Sequence, residues 1–394
     1  MKISAVESIP LRFEYDEGFT YAGGRCTARV TNLVCIHTEC GRVGIGSGYT
    51  HPGLAHLIIT QQLEPFLLGK NTADTDALWD LMYRLTRWYG RKGAAMSALG
   101  TVDTALWDLR GQAAGKPVWT LLGGESANCP AYASALLWQT PDKLATEART
   151  LIDRGFRRVK MRLGLSPDED RAAVEAVRTA IGPDHDLLVD GSMRYDLPTA
   201  NATARMLEAN DCFWFEEPFA PENLDAFAEL RQAVNIPLAA GENEFGTQGF
   251  RELIRAGAVD IVQPDASRCG GITETWRVAQ LAAEANLGVA THSWSDAVAI
   301  IANAHAIAAA PTGITVEIDQ TDNPFIEDLL TEPLQITDGQ LSLSDTPGLG
   351  ITLNETTLET HRLADPFNLP NGAYSDMAFG PEHWNPADPY PGVG

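Results

Sequence analysis

Cysteine pairs, long apolar runs and basic residues are all scarce in this chain, and each shortage removes a class of function. The 394 residues include six cysteines, Cys26, Cys35, Cys40, Cys129, Cys212 and Cys269, with no CxxC pair. That pattern offers no disulfide framework, and free buried thiols in a reducing compartment account for it. No apolar stretch is long enough to span a bilayer. The first residues, MKISAVESIPLRFEY, alternate like a strand and lack the apolar core of a signal peptide. A soluble, cytoplasmic protein with no membrane partner is expected. Lys and Arg number 29 against 52 Asp and Glu, a formal net charge of −23. So acidic a chain suits neither nucleic acid nor an anionic membrane surface as partner. It also gives no long-range pull on an anionic substrate, which local cations must then hold.

What is present is the composition of a large globular protein, 44% hydrophobic and 21% charged, long enough for two domains. Residues 1–125 read as an α+β domain, strands first and helices after. Residues 29–46 alternate around a turn at Glu39-Cys40-Gly41-Arg42, as a β-hairpin does. Helical patterns follow over 53–68, 73–89 and 94–114. Two Gly-rich stretches, 19–25 (FTYAGGR) and 46–52 (GSGYTHP), read as loops. With Tyr21 and His51 they can form a mobile lid carrying substrate contacts; ordinary surface loops are an equal reading.

The middle of the chain, 126–335, alternates strand and helix signals. Short apolar runs lie at 132–137, 158–161, 186–189, 213–215, 237–240, 259–262, 288–290 and 313–316. Eight strands alternating with helices fit a (β/α)8 barrel with one helix modified; a doubly wound sheet is the alternative. Nearly every strand ends in a polar residue, which favours a closed ring of active-site loops. Three of the runs end in acids, Asp190, Glu216 and Glu242, spaced 26 residues apart. Equivalent strand ends lie side by side, so the three carboxylates converge at the C-terminal mouth. Left alone they repel and raise one another's pKa. An oxygen-only set of this kind suits Mg²⁺. Any one acid at a strand end is by default a solvated loop residue or N-cap; three at one period favour a metal.

Other strand ends supply the remaining chemistry. Lys160 and Arg162 share a face of their strand, with Met161 opposite. They can hold the carboxylate of a substrate, or form a salt bridge at the rim. Asp265 and His292 close neighbouring strands, so the acid can fix the imidazole tautomer and raise its basicity for general-base work. Glu317 closes the last strand and, buried and protonated, can donate a hydrogen bond to an enolate oxygen.

These residues resemble a known family. The segment ALGTVDTALWDLRGQAAGKPVWTLLGG at 98–124, the acid triple with FEEP and GEN, QPDASRCGG at 263–271, and His292 together are similar to the enolase superfamily. The match is to its mandelate racemase/muconate lactonizing enzyme family, mandelate racemase subgroup. The resemblance implies an α/β fold: a modified TIM barrel, (β/α)7β, under an N-terminal α+β capping domain. It implies Mg²⁺ on Asp190, Glu216 and Glu242, and removal of the proton α to a carboxylate to give an enediolate. His292 with Asp265 would be the base and its orienter, and Glu317 the electrophilic partner. Two positions depart from the family pattern. Arg162 stands where many members carry a second base lysine, and arginine stays protonated; Lys160 is left as base or as carboxylate contact. Asp190-Gly191-Ser192 replaces the common Asp-x-Asn. A single base suits syn β-elimination, so a sugar-acid dehydratase or a sugar-acid cycloisomerase is expected. A racemase or epimerase and a non-catalytic sugar-acid binder are the alternatives. Substrate contacts are expected from Tyr21, His51, Ser192, Arg194 and Trp294, and relatives suggest a homo-oligomer, dimer or octamer. Residues 336–394 should return over 341–357 to the capping domain. They then run into a Pro/Gly-rich tail whose aromatics, Phe367, Tyr374, Phe379, Trp384 and Tyr390, suggest docking.

Overall fold

A long antiparallel hairpin begins the chain: β1 (Ile3–Tyr21) pairs with β2 (Gly24–Thr38), and β3 (Val43–Gly48) adds to the lower half of β2. In the computed structural model, residues 1–369 and the backbone of Met377–Ala378 are described. The stretch 19–25 is not the loop expected from its glycines. Phe19 pairs with Cys26, Thr20 with Arg25 and Tyr21 with Gly24, so strand-favouring residues on both sides carry the hairpin to its two-residue tip.

The helices of this domain follow. The expected helix over 53–68 is divided into α1 (Pro52–Leu57), a π-helical turn (Ile58–Leu63) and α2 (Glu64–Leu67). Pro65 explains the break, since it lacks an N–H and its ring crowds the preceding turn. Next come α3 (Thr75–Thr86), α4 (Ala94–Ala114) and α5 (Val118–Leu121). Helix α4 lies directly on β3. A Cβ on Gly44, Gly46 or Gly48 would stand 2.2, 2.0 and 2.0 Å from Ala105 O, Thr101 O and Thr101 Oγ1. Alternate glycines on one strand face thus set how closely helix and sheet approach.

Eight parallel strands then close into a barrel: β4 (Asn128–Ser134), β5 (Arg158–Arg162), β6 (Asp186–Asp190), β7 (Cys212–Glu216), β8 (Leu238–Ala240), β9 (Ile261–Val262), β10 (Gly288–Thr291) and β11 (Gly313–Asp319). The ring shuts where β11 pairs with β4. Seven helices fill the connections: α6 (Pro141–Asp153), α7 (Pro167–Ile181), α8 (Leu197–Ala209), α9 (Leu224–Ala233), α10 (Gly246–Arg255), α11 (Gly271–Glu284) and α12 (Ala297–Ala309). Between β11 and the hairpin that follows it only the four-residue α13 (Pro324–Glu327) forms, and the next helix, α14 (Glu355–His361), comes after that hairpin, so the barrel is (β/α)7β. Ser166 caps α7, accepting from Glu169 N–H, with Pro167 at the first turn, as the sequence predicts.

Inward positions alternate along each strand. Tyr132, Leu188, Trp214, Ala239, Ile261 and Ala290 pack together as one apolar layer. Two residues further along lie Asp190, Glu216 and His292, so the functional layer rests on that apolar floor. Beyond the barrel, β12 (Ile336–Thr337) and β13 (Gln340–Ser342) form a hairpin whose second strand pairs antiparallel with β4. The stretch expected to rejoin the capping domain therefore starts on the barrel and crosses afterwards. Leu349 N–H reaches Asp108 at 2.9 Å and Leu363 N–H reaches Pro10 O at 2.9 Å. Met377–Ala378 pairs with Arg29 and Ala28 of β2; of the tail aromatics, Tyr374, Phe379, Trp384 and Tyr390 lie outside the described residues. No helix among the described residues is long and apolar enough to cross a membrane.

Gly46→Ala should force α4 off β3 and lower stability by about 1–3 kcal/mol, the usual cost of overpacking a tight contact. A urea midpoint equal to that of the parent would refute this reading of the helix–sheet contact.

Candidate metal centre and active site

Strand register brings the acids together. Asp190 is paired with Glu216 across β6 and β7, and Glu242 follows two residues after β8. Each offers a carboxylate oxygen, all within 4.8 Å of one another. Asp190 and Glu216 are buried, and the Glu242 side chain is 19% exposed. Burial and the neighbouring anions Asp190, Glu242 and Glu317 push Glu216 up to about 7 even though Lys160 opposes them. Burial likewise raises Asp190 against the pull of Arg162 and Lys160. Strained anions of this kind are what a hard cation relieves.

The charges near the triad show the size of the shortfall. Lys160, with no exposed surface, reaches Glu216 at 2.7 Å and Glu317 at 2.9 Å. Arg162 meets Asp190 at 3.1 Å and Glu317 at 3.9 Å. Five carboxylates, counting Asp265, thus face Lys160, Arg162 and at most one charged imidazole. At least two positive charges are missing, and a divalent cation such as Mg²⁺ would supply them, so the residues present fit that ion.

Glu317 departs from the expectation. Burial favours its neutral form, but Lys160, His292 and Arg162 outweigh burial and hold the carboxyl well below its usual range. It is an acceptor, taking Ser293 N–H at 2.8 Å, and not the protonated donor read from sequence. Lys160 is shifted the other way. Burial disfavours its charge, yet Glu216 and Glu317 keep the ammonium protonated well above its ordinary range. Held between two carboxylates, it is placed as a cationic contact.

Asp265 and His292 meet as expected. His292 Nδ1–H donates to Asp265 Oδ2 at 2.7 Å. The other oxygen, Asp265 Oδ1, accepts from Ser267 N–H (2.8 Å), Ser267 Oγ (2.7 Å) and Asn303 Nδ2 (2.9 Å). His292 Nε2 is left facing Glu242 at 3.6 Å and Glu317 at 3.8 Å. Burial opposes the imidazolium, but Glu242, Glu317 and Asp265 outweigh burial and push His292 up to about 9.

The expected substrate contacts divide. Trp294 is buried over the site, with Arg162 4.6 Å and Arg29 5.2 Å from its ring centroid. Tyr21, at the hairpin tip, packs against the cluster of Trp294, Tyr49 and Cys26. Three others are engaged elsewhere. Ser192, in the left-handed region at φ 50°, turns its N–H onto Asp190 Oδ1 at 2.6 Å and so braces the carboxylate. Arg194 donates to Gly164 O at 3.3 Å and lies over Trp138. His51 caps α1, its Nδ1 accepting Gly53 N–H at 3.1 Å.

Sequence reasoning missed several residues. Tyr49, two positions before His51, presents its ring edge-on to His292 at 5.5 Å, and Arg268 lies 4.6 Å over it. The GSGYTHP stretch contained the signal, and Tyr49 was passed over for His51. Asn303, on α12, joins Asp265, His292 O and Ser293 Oγ; nothing in the local sequence marks it. Glu217 is buried beside the triad, raised by burial and by Glu242, Asp190 and Glu216, and accepts from Asn243 at 2.8 Å. The doubled acid of FEEP was its signal.

Comparison with known proteins places this geometry. Residues 143–357 match the enolase C-terminal domain-like family, and 20–123 match the mandelate racemase/muconate lactonizing enzyme N-terminal domain. A D-galactarolactone cycloisomerase of Agrobacterium fabrum is 35% identical over 381 residues, covering 93% of this chain and all of the relative. An arabinonate dehydratase of Saccharolobus solfataricus is 32% identical over 83% of this chain and 89% of its own length. The crystal structure of a racemase from Streptomyces coelicolor with bound magnesium superposes with TM-score 0.86 at 30% identity, over 92% of this chain and 100% of that one. The capping domain, the seven-helix barrel and the sequence matches agree: the chain belongs to the mandelate racemase/muconate lactonizing enzyme family of the enolase superfamily.

Proposed function

We propose that the chain is a one-base enzyme that removes the proton α to the carboxylate of a sugar acid and then expels a β-oxygen. The observation that carries this is an asymmetry of bases. His292 is oriented by Asp265, whereas Lys160 and Arg162 are each bridged to two carboxylates, which favour their charged forms. A two-base racemase needs a second neutral base, and neither of those cations supplies one. The sugar-acid cycloisomerase and dehydratase among the relatives support the substrate class.

Asp190, Glu216 and Glu242 would hold Mg²⁺, which when bound supplies Lewis acidity to the substrate carboxylate. Lys160 and Arg162, both buried, add fixed positive charge for the same group, and burial strengthens its effect. His292 Nε2 takes the α-proton, and the C–H electron pair passes into an enediolate. That pair then forms the C2–C3 double bond as the C3–oxygen bond breaks. His292, now the acid, returns its proton to the departing oxygen. If that oxygen is a hydroxyl, water leaves and the enol tautomerises to a 2-keto-3-deoxy acid. If it belongs to a ring ether or lactone, the ring opens and no water is lost. Tyr21, Tyr49 and Trp294 line the side from which the sugar hydroxyls would be read.

Proton NMR on sugar acids and anhydro-sugar acids with Mg²⁺ in D2O tests the proposal. A 2-keto-3-deoxy acid identifies a dehydratase, and a deoxy-keto acid formed without loss of water identifies a cycloisomerase. Deuterium at C2 of an otherwise intact substrate would replace this reading with racemisation. His292→Asn should lower kcat by about 10²–10⁴-fold, the usual contribution of a general base, with Mg²⁺ affinity by calorimetry retained. Turnover that survives the substitution would rule out His292 as the base. Since the imidazole must be neutral to act, kcat/KM should rise with pH through the pKa of His292. Asp265→Asn removes one of the anions that raise that pKa, so the acid limb should move to lower pH at a reduced maximal rate. A limb that stays in place would assign the profile to another group.

A further inference from the structure

Ile261 belongs to the apolar floor of the barrel, and Gln263 follows it by two positions, on the same inward face. The ladder continues that far, since Gln263 N–H donates to Ala240 O at 2.9 Å. The same step from the other floor residues leads to Ser134, Asp190, Glu216, Gly241 and His292. Every side chain among these is engaged. Ser134 Oγ accepts from Arg162 at 3.3 Å, Asp190 from Ser192 N–H at 2.6 Å and Glu216 from Trp214 Nε1 at 3.0 Å, and His292 donates to Asp265. Gln263 is the exception. It is fully buried, yet neither its Oε1 nor its Nε2 meets a hydrogen-bond partner, and among the described residues no other buried carboxamide has both ends unmatched. Strand register gives the reason. Ala240 and Val289 stand level with Val262, which sets Gly241 on one side of Gln263 and Ala290 on the other, and neither has a polar side chain to offer. A buried amide left in this way is costly at both ends, and a bound group that met both would relieve it.

We propose that Gln263 contacts the substrate, its carboxamide spanning two adjacent oxygens: the α-hydroxyl and the β-oxygen that departs. The inference rests on the sugar-acid reading above and names a residue for it. Position supports it first. Around the barrel, Glu242 follows the preceding strand and His292 the next one, so the amide lies between a metal ligand and the base, where the α- and β-carbons must sit. Hydrogen-bond chemistry supports it second. A carboxylate only accepts, so it would leave Gln263 Oε1 unmatched, and Lys160 and Arg162 already serve that group. Neighbouring oxygens on a sugar chain match an amide end for end. The α-hydroxyl donates to Oε1, and the β-oxygen accepts from Nε2–H, which a hydroxyl and a ring oxygen can both do. The amide gives up no proton, and His292 remains the acid. Gln263 steadies charge on the departing oxygen and holds the C2–C3 bond in the conformation that elimination requires.

Calorimetry on the full chain carrying His292→Asn, which stops turnover, tests this in the presence of Mg²⁺. Sugar acids and anhydro-sugar acids are each titrated beside their 2-deoxy counterparts. The titrations are repeated after adding Gln263→Met, which keeps the length of the side chain without its polar atoms. The preference for the α-hydroxyl should shrink at least about tenfold, the usual return of a hydrogen bond whose loss leaves a buried amide unmatched. Mg²⁺ affinity measured without any acid should be the same in both proteins. The melting temperature without ligand should be no lower with Gln263→Met, because two unmatched polar atoms leave the interior. A preference that survives the substitution overturns the proposal. So does an equal loss for both acids, or a loss of Mg²⁺ affinity, either of which would assign Gln263 to support of the metal ligands. A lower melting temperature would show the amide matched within the protein and defeat the proposal by that route. A His292→Asn protein that binds Mg²⁺ and none of the acids would refute the sugar-acid reading itself, and the role of Gln263 would fall with it.

Discussion

The bridge from Lys160 to Glu216 and Glu317 is the interaction on which the rest of the site depends. A fully buried ammonium is costly to desolvate and is tolerated only when its partners are close and well placed. Here two carboxylates on different strands sit 2.7 and 2.9 Å away, so one lysine ties β5 to β7 and to β11 across the barrel. Without it, the carboxylates of the mouth would face one another with little but Arg162 between them. The same contact that keeps the anions together holds the lysine as a cation between two carboxylates. Under the proposed one-base reading, the choice of reaction type follows from that packing requirement.

The capping domain takes part in this balance from outside. Arg29, buried on β2, pairs with Asp319 at 3.1 Å, donates to Trp294 O and lies over the Trp294 ring. Thr31 and Ser47 donate to Asp296 at the start of α12, and Lys92 meets both oxygens of Glu244 at 2.8 Å. Each capping-domain residue reaches a barrel loop within a few positions of a functional side chain. Of the ionic contacts, Arg29–Asp319 is fully buried, whereas Lys92 reaches Glu244 from an exposed position.

The sequence made the barrel legible because its signal is periodic. Acids 26 residues apart and alternating inward positions are consequences of regular strands, so Asp190, Glu216, Lys160 and Arg162 could be placed by counting. Asp265 and His292 were legible for the same reason. Contacts between distant elements carry no such period. Asn303 reaches Asp265 from the middle of a helix, and Tyr49 reaches His292 from another domain. Ser192 was read as a substrate contact because its side chain invites it, while its backbone N–H does the work at a positive φ that sequence does not announce. Glu317 was given a proton because burial alone favours one, and the three cations that remove it come from other strands.

The missing eighth helix bears on how the molecule is made. Where that helix would lie, the chain leaves the barrel, pairs β13 with β4, and crosses to meet Asp108 and Pro10 in the first domain. The capping domain is therefore synthesised first and completed last. Its sheet and helices leave the ribosome well before the residues that close it, and those residues arrive only after the whole barrel. Domains usually fold as units in the order of their synthesis; this one must wait in a partly finished state. Contacts spanning nearly the full chain also slow folding. A truncation just after β11 would leave the barrel strands intact but strip the first domain of its final contacts, so the smallest unit able to fold to this structure is nearly the whole described chain.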